Sequence, residues 1–158
     1  MRNDRWRLGL AALFTISGTA HFVAPKPFAG IVPPFLGASL PWVYASGVAE
    51  LACAAGLFSR PARIRSRAAQ ASAALLVAVF PANLYMAVEA FRAADSAAYR
   101  IGTLVRLPLQ VPLVLAAVAV SRAESRRRAA AMTPSARQLD DEMGAKRSSL
   151  RMFCPAYN

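Results

Sequence analysis

Apolar residues gather into four blocks along the chain, at 8–24, 40–58, 68–91 and 104–121, separated by links rich in arginine, proline or small polar residues. Each block is close to the ~20 residues that cross a bilayer core as a helix. Four such blocks in 158 residues leave too little polar surface to solvate a globule. The pattern predicts an all-α fold, a bundle of four transmembrane helices. The link at 25–41 is different in kind. It stays apolar through Phe28, Ile31, Val32, Phe35 and Leu36, yet Pro25, Pro27, Pro33 and Pro34 forbid one continuous helix. An apolar, irregular segment of this sort belongs at headgroup depth, where it can cap the mouth of a bundle, and Trp42 and Tyr44 follow it as an aromatic belt.

Composition agrees with this reading. The chain is 56% hydrophobic and only 17% charged, below the usual quarter for soluble domains. The net charge of +11 invites a nucleic-acid partner, but the positions of the charges argue against one. Fifteen of the nineteen basic residues lie before block one, in the link 59–67 or after block four; Lys26, Arg92, Arg100 and Arg106 lie on the other side. The positive-inside rule then predicts a cytoplasmic N-terminus and a cytoplasmic C-terminus. Residues 122–158 form a basic tail, helical at first, with disorder predicted after 133 and anionic membrane lipid as its partner. The stretch LGLAALFTISGTA also has the form of a signal peptide. The uncleaved reading is preferred, because the later spans need a partner for their hairpin. Cys53 and Cys154 make neither a disulfide framework nor a Cys-x-x-C pair, and no metal-ligand cluster is present in the sequence.

Polar residues inside the blocks cost free energy in hydrocarbon and therefore carry the most information. Ser17, Gly18 and His21 share one face of span one; Ser46, Gly47, Glu50 and Cys53 share one of span two. Span three contributes Pro81 and Asn83, and span four Thr103, Arg106 and Gln110. Measured from the cytoplasmic side, His21, Asn83 and Arg106 lie roughly 20 Å up their spans and Glu50 roughly 12 Å. Side chains lean toward the N-terminus of their helix, so His21 leans inward and Glu50 outward, toward each other. A carboxyl group at that depth is paired, protonated or in a wet cavity. His21, Glu50, Asn83, Arg106 and Gln110 are therefore the candidate lining of a polar pocket in the outer half. Phe28, Phe35 and Trp42 are its candidate roof. Pro81 is expected to bend span three just below Asn83.

The runs GTAHFVAPKPF, IVPPFL, LPWVYASGVAE, LLVAVFPANLYMA and RLPLQ, in that order, resemble those of DoxX-like bacterial membrane proteins over roughly residues 8–121. That resemblance implies a four-helix inner-membrane protein. Some such proteins are named after a subunit of a membrane thiosulfate:quinone oxidoreductase, and others are linked to membrane redox complexes that handle thiol or oxidative stress. The resemblance supplies no settled catalytic residues. Its functional implication is a non-catalytic subunit, or a small-ligand-binding module, of a membrane redox or stress-response system, with a quinone-like ligand and a redox complex as partner. Two rival classes use the same residues. One is an oxidoreductase component in which Glu50 and His21 exchange protons with substrate; the other is a proton-coupled transporter. The first lacks a reactive group of its own. The second lacks a broken helix in span one to match the one expected in span three.

Overall fold

The computed structural model describes residues 2–93 and 96–132, together with Met143 and Lys146. It divides into two compact units, 1–125 and 126–158. The described part of unit 1 is all-helical: α1 (Arg2–Val23), α2 (Pro25–Ala29), α3 (Ser39–Phe58), α4 (Ala62–Ala78), α5 (Phe80–Arg92) and α6, which begins at Ala97 and continues to Met132 in the second unit. Three helical stretches are long and apolar enough to cross a membrane: α3, the α4–α5 pair taken together, and α6. At 22 residues α1 is long enough too, but its first turns carry Asp4, Arg5 and Arg7, which dilute its apolar length. The predicted disorder after residue 133 falls, apart from Met143 and Lys146, on residues outside those described.

The proline-rich connection folds as its composition requires. Pro25 opens α2, where its missing N–H would have had no intrahelical partner in any case. Residues Pro34–Leu36 make one 3-10 turn, ended by Gly37 at φ +76°, a left-handed conformation that glycine adopts without cost. The Trp42 Nε1–H donates to the Leu36 carbonyl at 3.0 Å and ties the connection to α3. In the third block the break lies at Val79 (φ −84°, ψ −5°), two residues before Pro81, which takes its place in the first turn of α5. By contrast, α6 runs through both Pro108 and Pro112 without a break.

Glycines set the closest helix crossings. A Cβ on Gly47 would come within 2.8 Å of His21 Cβ, and one on Gly18 within 3.1 Å of the Gly47 carbonyl, so these two residues let α1 and α3 touch backbone to backbone. Gly56 does the same for α3 and α4, where an added Cβ would lie 2.5 Å from Ala68 Cβ. Around these crossings Leu10, Phe14, Leu57, Leu76, Ala117 and Val120 form a dry core. Large apolar side chains outside it, such as Ile16, Val48, Val77, Val111 and Leu115, are exposed. Apolar side chains facing outward, with the polar groups Glu50, Asn83 and Gln110 buried, suit a lipid surround.

At the core end, polar groups lock the elements together. Arg7 donates to the Leu57 carbonyl at 2.6 Å, and Arg65 meets Glu124 at 2.6 Å while also donating to the Ser59 and Arg60 carbonyls. Ser66 Oγ lies 2.9 Å from Ser125 Oγ and 3.3 Å from the Ser121 carbonyl. The start of α1, the end of α3, the start of α4 and residues 121–125 of α6 therefore share one end of unit 1. The proline-rich connection belongs to the opposite end.

Candidate functional site

His21 closes the last turn of α1, three residues after Gly18, and Glu50 stands three residues after Gly47 on the antiparallel α3. Because the two glycines permit a close crossing, both side chains arrive at the same depth. His21 Nδ1 lies 2.8 Å from the Ser17 carbonyl. A carbonyl only accepts, so this ring nitrogen carries the proton. Glu50 Oε2 lies 3.8 Å from the same nitrogen, beyond hydrogen-bond reach but within that of an ion pair. The imidazole stacks on Phe28, with centroids 3.9 Å apart and planes inclined by 25°. Glu50 is 8% exposed, and among the described residues its Oε2 has no hydrogen-bond partner.

These groups face a cavity of about 240 Å³. Its floor is Glu50, with Ser46 and Val43 on α3 and His21 on α1; Asn83 and Arg106 supply polar walls from α5 and α6. Arg106 and the Glu50 carboxyl face the same space. Phe28, Ile31, Val32, Pro33 and Leu36 of the connection, with Trp42, enclose it, and Ala78, Val79 and Ala82 flank the helix break. The break at Val79 therefore opens directly onto the cavity. The arrangement is a mostly apolar and aromatic enclosure with a few converging polar groups, the general make-up of a small-molecule site.

Four of the five predicted lining residues thus come together: His21, Glu50, Asn83 and Arg106. Gln110 does not line this cavity. It is buried one turn deeper, where its Oε1 accepts from Asn83 Nδ2 at 3.0 Å and its Nε2 donates to the Leu76 carbonyl. Gln110 clamps α6 to the helix break and holds Asn83 in place. Of the predicted roof, Phe28 and Trp42 line the cavity, whereas Phe35 is 85% exposed and points away from it. The 3-10 turn is the physical reason. Its tight winding sends consecutive side chains in different directions, so Leu36 turns inward and Phe35 outward. Val32 and Pro33 belong to the cap that the sequence predicts, whereas the small wall residues Ala78 and Ala82 carry no polar signal and give no sign of the cavity. Among the described residues, no group of three His, Cys, Asp or Glu side chains could hold a metal ion.

Residues 10–121 match the model of a protein family described as "Domain of unknown function (DUF8561)". No curated protein and no solved structure matches the chain.

Proposed function

The chain belongs to the DUF8561 family, whose function is undefined; we propose from the cavity that it is a non-catalytic, small-ligand-binding module, and from its resemblance to DoxX-like proteins that it serves a membrane redox or stress-response system. One observation carries this reading. A buried carboxyl oxygen, Glu50 Oε2, has no hydrogen-bond partner among the described residues, with the His21 ring 3.8 Å away, and it stands at the wall of a half-open, aromatic-lined cavity. An unmet acceptor in a low-dielectric site is costly unless a ligand donates to it. A volume of about 240 Å³ suits the head of an amphiphile better than a whole drug-sized molecule. A quinone-like ring meets these demands. Its reduced hydroxyl donates to Glu50, its other oxygen accepts from Arg106, and its face lies among Phe28, Trp42 and the His21 ring.

The test is mass spectrometry of small molecules that co-purify with the tagged full chain from mild detergent. Glu50→Gln keeps shape and hydrogen bonding but removes the charge. It should weaken ligand retention about fivefold, since a hydrogen bond to a charged group contributes about 1 kcal/mol more than a neutral one. Unchanged occupancy in that variant would remove the basis of the reading.

In this proposal α1 is a fourth span, and both termini are cytoplasmic in the inner membrane. The shared end of α1, α3, α4 and late α6 is also the arginine-rich end, which supports its facing the cytoplasm. Reporter fusions at Ser59 and the C-terminus should report a cytoplasmic location, and a fusion at Ser96 an external one. An external C-terminus would rule out the four-span topology.

A further inference from the structure

The outer half of α6 meets its neighbours through single side chains, such as the buried Thr103 and Gln110, rather than along an apolar face. Its backbone approaches no other helix as α1 approaches α3, and its apolar core contacts, Ala116, Ala117 and Val120, all lie deeper. Between α6 and the α4–α5 pair runs an open seam made of two crevices, of about 500 and 360 Å³. One wall is a stripe at helical spacing: Val77, Phe80, Leu84, Val88 and Phe91. The other is its antiparallel counterpart: Leu115, Val111, Leu107 and Leu104. From Val77 to Phe91 the seam runs roughly 21 Å at the helical rise, more than the ~15 Å depth of one leaflet's hydrocarbon.

Its two ends differ. At the deep end Gln110 is already satisfied by Asn83 and the Leu76 carbonyl. At the shallow end two guanidinium groups gather. Arg92 forms the lip of the crevice, its charge partly offset by Glu89 at 2.9 Å. Arg100 lies over the Phe91 ring at 5.4 Å, and its Nε is buried without a hydrogen-bond partner among the described residues. An apolar slot of leaflet length ending in two cations is complementary to one kind of molecule. We propose that this seam is a specific site for an anionic phospholipid, with one acyl chain laid between α5 and α6 and the phosphate held by Arg92 and Arg100. The lipid then completes the packing that the protein leaves open beside the helix break. The seam is separate from the Glu50 cavity, and the inference does not depend on what that cavity binds.

Native mass spectrometry of the full chain in mild detergent tests it, with dioleoyl-phosphatidylglycerol and dioleoyl-phosphatidylcholine titrated separately. The expected result is a single retained phosphatidylglycerol, bound more tightly than phosphatidylcholine. Arg92→Gln with Arg100→Gln should weaken retention about fivefold for each guanidinium removed. Val111→Trp, which fills the larger crevice, should abolish the retained adduct. The charge variant lies at the exposed end, away from the core, and keeps the test decisive if Val111→Trp impairs folding. A ladder of adducts indifferent to headgroup and to the charge variant would mean ordinary annular lipid and overturn the proposal. A lipid-free dimer whose formation is blocked by Val111→Trp would overturn it too, by assigning the seam to a second copy of the chain.

Discussion

Glu124→Ala is expected to destabilise the bundle by about 3–5 kcal/mol, the cost of breaking a buried ion pair by removing one partner. Glu124 is 2% exposed, and its Oε2 lies 2.6 Å from Arg65 Nη2. The same guanidinium donates to the Ser59 and Arg60 carbonyls, so it is anchored to the end of the α3–α4 hairpin and cannot swing to water when the carboxylate goes. Desolvation of the stranded charge, not loss of the pair's own attraction, dominates the effect. The double variant Arg65→Met with Glu124→Leu should therefore recover most of the loss. Thermal melting of the unaltered protein, Arg65→Met, Glu124→Leu and the double variant in one detergent gives the double-mutant cycle. Additive single losses would mean that the two charges do not depend on each other and that the argument from burial fails.

That pair also marks a limit of sequence reading. Glu124 sits in SRAESRRR, past the end of the fourth apolar block, where the composition reads as solvated tail. Nothing local distinguishes it from a surface residue. Its burial arises because α6 extends beyond the apolar block and lies against the start of α4. The helices themselves were legible, because apolar block length and proline positions are local properties. So was the meeting of His21 with Glu50, since it follows from antiparallel helices and the direction in which side chains lean. Gln110 was misplaced for a subtler reason. It shares a face with Arg106, but facing inward does not decide whether a side chain meets a cavity or another side chain. That depends on the Leu76 carbonyl beside the helix break, which only three-dimensional packing supplies. The small residues were read only in part. In the sequence Gly18 and Gly47 belong to polar faces, yet their larger effect is to set the distance at which α1 crosses α3.

Gly47→Ala tests that effect. The new Cβ would lie 2.8 Å from His21 Cβ and 2.8 Å from Phe22 Cε2. The Phe22 ring can turn aside, but a Cβ moves only with its backbone, so α1 must draw away from α3. The overpacking should cost about 1–3 kcal/mol in melting. It should also widen the 3.8 Å gap between His21 and Glu50 and weaken ligand binding at the cavity. Gly56→Ala separates the two consequences. Its Cβ would lie 2.5 Å from Ala68 Cβ, so it should destabilise at least as much, but the crossing it disturbs lies in the apolar core, away from the cavity. Its ligand binding should remain near that of the unaltered protein at temperatures well below its melting. Gly9, with no atom within 4 Å of an added Cβ, is the control. Gly9→Ala should bind normally and melt unchanged or higher, by up to about 1 kcal/mol of helix propensity. If Gly47→Ala and Gly56→Ala lose binding equally, the cavity responds to global stability rather than to the α1–α3 crossing, and the role assigned to the glycine pair is wrong.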